Sequence, residues 1–130
     1  MSSKQVLVMR KMDKGCRTGK YCAQAAHASL GSVFSLGKFS EDRMSFVLDV
    51  SNPFVYEWII GRFTKAVVYV ETDDELVEIY TQAKKAGIAT AIITDAGLTE
   101  FNGVPTLTAV GVGPDNVDLI DKITGHLKLF

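Results

Sequence analysis

AVVYVETDDELVEIYTQAKKAGIATAIIT, residues 66–94, reads as strand, helix and strand in succession. Ala66–Val70 is a short, continuous apolar run rich in Val, suited to a strand buried on both faces. Thr72 or Asp73 caps a helix in which Leu76, Ile79, Tyr80 and Ala83 recur at helical spacing, and Gly87 stops it. Thr90–Thr94 (TAIIT) is the next strand. Strand, crossover helix and strand make a βαβ unit, which implies a largely parallel sheet with helices on both faces.

The same reading extends outward. Upstream, Gln5–Met9 (QVLVM) is another buried-strand run, and residues 10–18 are a polar, basic loop containing Gly15. From Thr18, a candidate cap, the alanine-rich stretch KYCAQAAHASL predicts a helix. Residues 35–52 are less legible; their MSFVLDV segment (44–50) fits an added strand or a helix edge. Asn52-Pro53 reads as a cap and first-turn proline, opening a helix through Trp58 to about Ile60. Downstream, Leu107–Val112 (LTAVGV) is a fourth strand, and Asp115 or Asn116 starts a last helix through about Ile123. Between the third and fourth strands lie about a dozen residues with Gly97, Asn102, Gly103 and Pro105 and no helical pattern, so the fourth strand is expected to run antiparallel. The expected fold is one α/β domain over residues 1–130, a three-layer α/β/α sandwich around a four-stranded mixed sheet, last strand antiparallel.

Bulk properties narrow the classes. The chain has 130 residues, 47% hydrophobic and 22% charged, enough for a core without disulfide staples. No apolar run approaches the roughly 20 residues that cross a bilayer, and the amino terminus is too short in apolar residues for a signal peptide; a cytosolic location follows by default. Cys16 and Cys22 are the only cysteines, are not spaced as CxxC and have no histidine pair to complete a zinc set, so a structural or incidental role is expected. Net charge is −1, yet residues 1–43 hold eight Lys or Arg against three Asp or Glu. That asymmetry fits a basic face for a phosphate backbone and equally fits a solvated basic loop.

Ligands in such sheets bind at the carboxyl ends of the parallel strands. The loop after the first strand leads to Gly19-Lys20; the loop after the third begins at Asp95-Ala96-Gly97. Both open on one edge if those strands are parallel. On the first helix Lys20, Gln24 and His27 fall within about 60° of each other, while Ala23, Ala26 and Leu30 occupy the adjoining arc and are expected to face the core. The polar stripe sits at a helix start, where backbone N–H groups favour an anion. A solvated helix face with a partly buried His27 accounts for the same pattern.

GKYCAQAAHA (19–28) resembles the GKxAAQxxHA signature of the archaeal-eukaryotic, or type 2, peptidyl-tRNA hydrolases, with Cys22 where that family usually has Ala. Trp58 with Lys65, DDELVEIYTQAKKAG (73–87), TDAGLT (94–99) and IDKITGHLKLF (120–130) extend the resemblance along nearly the whole chain. The loop before Gly19 is worded differently, and residues 31–52 are longer than usual for the family. The resemblance implies a cytosolic enzyme, commonly dimeric and independent of metals and cofactors. Such an enzyme releases tRNA and free peptide from peptidyl-tRNAs dropped by stalled ribosomes. Carried over to matching positions, it implies a site of Lys20, Gln24, His27, Asp95 and Thr99; Lys20, His27, Asp95 and Thr99 are expected in catalysis, and Gly19 and Gln24, with Arg17 and Lys14 of the basic loop, are expected to bind substrate.

No G-x-S-x-G elbow and no defensible Ser-His-Asp order is present, so the expected chemistry is attack by water. Asp95 accepts or orients its proton, Lys20 stabilises the oxyanion or the terminal phosphate, and Thr99 and Gln24 position water and substrate. His27 serves as acid or base, or fixes the helix against the sheet. Cys22 and His27 lie about 140° apart on one helix and cannot pair as nucleophile and base within it. The alternative function is a non-catalytic tRNA- or protein-binding module on the same fold.

Overall fold

Strand β1 (Ser3–Arg10) is the middle of the sheet, and Gln5–Met9 are all buried, as a two-sided apolar run requires. The structure, a computed structural model, describes residues 2–97 and 101–130. After β1 come helix α1 (Thr18–Phe34), strands β2 (Gly37–Phe39) and β3 (Phe46–Leu48), and helix α2 (Pro53–Ile60). Strand β4 (Lys65–Val70), helix α3 (Asp73–Lys85) and strand β5 (Thr90–Asp95) form the βαβ unit. A turn at Phe101–Gly103 leads to β6 (Thr106–Asn116), α4 (Val117–Thr124) and β7 (Lys128–Leu129).

The sheet order is β5-β6-β1-β4-β7. Strand β1 pairs parallel with β4 and antiparallel with β6, and β6 pairs antiparallel with β5. Strands β1, β4 and β5 therefore share one direction, and β6 runs against them as expected. Among the described residues the sheet has five strands rather than four. Lys128 and Leu129 pair with Tyr69 and Val68 of β4. Two residues are too few to show alternation, so nothing in the sequence pattern marks β7 as a strand. MSFVLDV contributes β3, which among the described residues pairs only with β2; Phe46 meets Phe34 and Phe39 edge-on, at ring-centroid distances of 5.2 and 4.9 Å.

Two cores lie on the two faces of the sheet. Val6, Val8, Val68, Val70, Val110 and Val112 meet Leu76, Ile79 and Ala83 of α3 and Ile120 and Ile123 of α4. On the other face Leu7, Met9 and Ala109 meet Ala28 of α1, with Tyr21 and Ala25 packed against them. Trp58 of α2 is buried, and its indole N–H donates to the Thr64 carbonyl at 2.8 Å. Asn52, Thr72 and Asn116 cap α2, α3 and α4 by accepting from Phe54, Glu75 and Asp118 N–H. At α1 the cap position is Arg17, whose side chain does not cap the helix, and Thr18 is the first helical residue rather than the cap.

The sheet-facing stripe of α1 also differs from expectation. Ala23, Ala26 and Leu30 are exposed; Gln24, Ala28 and Ser32 are buried. Small and polar residues take the inner face because the helix lies almost on the backbone of β6. A Cβ on Gly111 would fall on the carbonyl oxygen of Ala28. The polar groups are satisfied there: Ser32 Oγ donates to Gly113 O at 2.5 Å, Gln5 Nε2 to Ser29 O at 3.0 Å, and Ser29 Oγ to Gln5 Oε1 at 2.5 Å. Hydrophobicity alone misassigns this face. Gly111→Ala should lower stability by about 1–3 kcal/mol, because neither backbone can move without breaking the sheet or the helix; urea unfolding measures it, and an unchanged midpoint would contradict the close seating.

Candidate active site

Asp95 is the last residue of β5, and the backbone that follows turns its carboxylate inward. Gly97 makes that turn with φ +80°, and a Cβ there would also strike the backbone of Val104, so both conformation and space demand glycine. In this arrangement Gly97 N–H donates to Asp95 Oδ2 at 2.8 Å, and Gly97 O accepts from Gly103 N–H at 2.8 Å.

Because β1 and β5 are parallel, the loop after β1 and the turn after β5 open at the same end of the sheet. The start of α1 then meets Asp95. Lys20 Nζ lies 2.9 Å from Asp95 Oδ1, and both side chains are only 15% exposed. Gln24 Nε2 reaches the same oxygen at 3.5 Å. On its other side Gln24 Oε1 accepts from Thr108 Oγ1 at 2.6 Å. The hydroxyl thus orients the amide, oxygen toward Thr108 and nitrogen toward Asp95. The Phe101 ring lies beside the cation, 5.7 Å from Lys20 Nζ to the ring centroid.

Thr108 occupies this position through an irregularity in pairing. Ile93 pairs with Ala109 but Thr94 pairs with Leu107, so β6 carries one extra residue, Thr108, at that point. Such a bulge re-aims a side chain, here into the site. Thr108, Phe101 and the Gly97 amide were not among the expected site residues. The one available signal was a threonine inside an otherwise apolar buried strand, which must find a partner; the bulge itself depends on pairing between distant strands.

Of the expected residues, Lys20, Gln24 and Asp95 come together. His27 is exposed on α1, makes no hydrogen bond among the described residues, and is near enough to act on Asp95 through charge. Lys14, Arg17 and Gly19 are exposed at the loop and helix start leading to Lys20. Tyr21, on the next helical position, ties that loop down by accepting from Met12 N–H at 2.9 Å. Thr99 lies outside the described residues. Cys22 is exposed and neither cysteine is in a disulfide. Among the described residues no three His, Cys, Asp or Glu side chains converge as a metal ligand set, and no helix is long and apolar enough to cross a membrane.

The Lys20 hydrogen bond holds the Asp95 carboxyl below the usual carboxylate range, helped by the Gly97 N–H and by the charges of Lys20 and His27. Asp95 is therefore ionised at neutral pH. It accepts hydrogen bonds and is a weak base, while Lys20 places an ammonium beside it.

Together the fold and these side chains define an α/β protein with a charged, partly buried cluster at the carboxyl ends of its parallel strands. Residues 3–130 match the peptidyl-tRNA hydrolase PTH2 family, and the chain belongs to that family. It is 40% identical over 126 residues to the peptidyl-tRNA hydrolase of Methanothermobacter thermautotrophicus, covering 97% of this chain and 98% of the relative. The Methanocaldococcus jannaschii enzyme of the same name gives the same identity and coverage. That of Halobacterium salinarum is 41% identical over 128 residues, covering 98% of this chain and 99% of the relative. Among solved structures, a protein of unknown function from Agrobacterium tumefaciens strain C58 superposes with a TM-score of 0.51 at 13% identity, over 100% of this chain and 98% of that one. At that identity the likeness concerns the fold alone.

The depressed Asp95 carboxyl contributes stability at pH values above its unfolded pKa, about 3.9, and that contribution is lost as pH falls through the lower folded midpoint. Lys20→Met should raise the folded midpoint toward the ordinary value, so the contribution shrinks and its loss is complete at a higher pH. Carboxyl-carbon NMR titration of Asp95 reads this directly. An unmoved midpoint would mean that Lys20 does not hold the carboxylate.

Proposed function

We infer that this chain is a peptidyl-tRNA hydrolase: it cleaves the ester between peptide and tRNA by attack of water, recycling tRNA from stalled translation. The observation that carries the reading is the Lys20–Asp95 pair, braced by Gln24 and Thr108 at the carboxyl end of β5, in a chain of this family.

Water adds to the ester carbonyl carbon, the bond to the ribose oxygen breaks, and the proton released by water ends on that oxygen. Asp95, held ionised, orients the water by accepting its hydrogen bond and draws proton density as attack proceeds. The ammonium of Lys20, held beside Asp95, stabilises the developing oxyanion by its charge. Gln24 and Thr99 position water and substrate. His27, exposed beside the pair, relays the proton released by water to the leaving ribose oxygen. Lys14, Arg17 and Gly19 receive phosphates of the tRNA end, where a basic loop meets a helix amino terminus.

The whole chain, 1–130, works as one domain and is placed in the cytoplasm, where stalled translation supplies its substrate. A homodimer is supported by an apolar groove of about 520 Å³ that includes Ala26, Leu30, Val33, Ile59 and Phe63, several of them exposed. Burying such a patch against a second copy removes it from water. Sedimentation at micromolar concentration should give twice the chain mass; a monomer would remove the dimer from this reading.

Release of free tRNA from N-acetyl-aminoacyl-tRNA in the presence of EDTA tests the activity. Wild type should turn over, Asp95→Asn and Lys20→Ala should each lose about 100-fold or more in kcat, and Lys14→Ala with Arg17→Ala should chiefly raise KM. Tight tRNA binding by wild type without any product would instead return the binding-module reading.

A further inference from the structure

Phe101, Asn102 and Gly103, in the turn that leads to β6, all take the left-handed backbone, with φ of +62°, +51° and +74°. Asparagine and glycine enter that region readily; a bulky aromatic does so at a cost. The conformation at Phe101 is imposed by what surrounds it. Gly103 N–H donates to Gly97 O at 2.8 Å, and Val104 N–H donates to Phe101 O at 3.0 Å. The backbone of Val104 also lies so close to Gly97 that no Cβ fits between them. The turn is therefore locked to the bend that follows Asp95. A residue kept where its backbone is strained, beside a site, points to work done by its side chain.

That side chain reaches the site. The ring centroid of Phe101 is 5.7 Å from Lys20 Nζ, the ammonium that lies 2.9 Å from Asp95 Oδ1. A lysine in the first turn of a helix ordinarily carries its charge into water on a flexible four-carbon stem. Here the side chain is only 15% exposed, and the Phe101 ring is half-buried with it. An aromatic face attracts a cation as well as keeping water off it, whereas an aliphatic side chain does only the second. One locked unit of backbone carries both the Asp95 carboxylate and the Phe101 ring, so their spacing is fixed. The flexible lysine is drawn to the place that satisfies both.

We propose that Phe101 is a positioning residue for the hydrolysis: its ring, carried on a strained backbone, holds the Lys20 ammonium beside Asp95, where the oxyanion develops. This rests on the hydrolase reading above. Phe101 acts through Lys20 and not on the scissile bond. Losing the ring frees the ammonium to swing toward solvent, so the charge is present but displaced when attack begins. Chemistry then suffers more than binding: kcat falls and KM stays. The Asp95 carboxyl also loses part of its hold on Lys20, leaving the Gly97 N–H and the charge of His27 to lower it, and its midpoint moves up. A side chain that merely filled space at the turn would move neither.

Steady-state hydrolysis of N-acetyl-aminoacyl-tRNA tests the role in four variants. Phe101→Leu keeps apolar bulk without a π face and should lower kcat about tenfold or more, with KM within about twofold of wild type. Phe101→Tyr keeps the ring and should recover most of that loss. Carboxyl-carbon NMR should show the Asp95 midpoint raised in Phe101→Leu and close to wild type in Phe101→Tyr. Phe101→Ala and Phe101→Gly both remove the ring and should lose kcat alike. Phe101→Gly should nevertheless unfold at higher urea than Phe101→Ala, because only glycine takes the left-handed backbone without strain. Full kcat in Phe101→Leu, an unmoved Asp95 midpoint, or a rise in KM at unchanged kcat, the mark of a ring that contacts substrate, would each overturn the positioning role while leaving the hydrolase standing. Equal stability of Phe101→Gly and Phe101→Ala would overturn the strained backbone on which the ring is carried. Absence of turnover by wild type would overturn the hydrolase reading and the positioning role together.

Discussion

Helix α1 rests on the backbone of β6 with no side chain between them at Gly111, and the site depends on that closeness. A helix held off by an ordinary Cβ layer would sit farther from the sheet, and Lys20 and Gln24 would no longer reach Asp95 and Thr108. The seating is made by polar groups rather than by bulk. Gln5, Ser29 and Ser32 bond across the helix–sheet boundary, so the inner face of α1 can be hydrophilic and still be buried. The same interface that packs the helix also aims its first turn.

Electrostatics at the site follow from that placement. A carboxylate and an ammonium, each largely shielded from water, are held together, and neither is spent wholly on the other. Asp95 Oδ2 takes the Gly97 amide, Oδ1 takes Lys20, and Gln24 lies at the limit of bonding distance. Lowering the Asp95 pKa keeps it charged, which suits orientation of water better than removal of a proton from it. The antiparallel β6 between β1 and β5 matters here too. It lets two parallel strands deliver their loops to one end while leaving β5 outermost.

Much of the fold was legible because it rests on local signals. Runs such as Gln5–Met9 and Ala66–Val70 are buried strands, and Asn52-Pro53 and Thr72 begin helices where short-range capping says they should. The antiparallel sense of β6 followed from a connection too poor in helix signal for a crossover. What stayed hidden rests on long-range pairing. Strand β7 is two residues that become a strand only against β4. Ala23, Ala26 and Leu30 resemble a core face but lie outside, because the sheet-facing positions are chosen for size and hydrogen bonding.

The site divides in the same way. Lys20, Gln24 and Asp95 could be named from the sequence, since their residue types, helical spacing and position after a strand are local properties, and their wording resembles one family. Thr108 could not, because its role comes from a bulge in which distant β5 and β6 fall out of register by one residue. Nor could the sequence say that β5, rather than another strand, is the outer edge. Residue order determined which segments are helices and strands and which polar groups stand at their ends. Only tertiary structure decided which ends meet, because strand order and register are set by contacts between residues far apart in the chain, about which local propensity is silent.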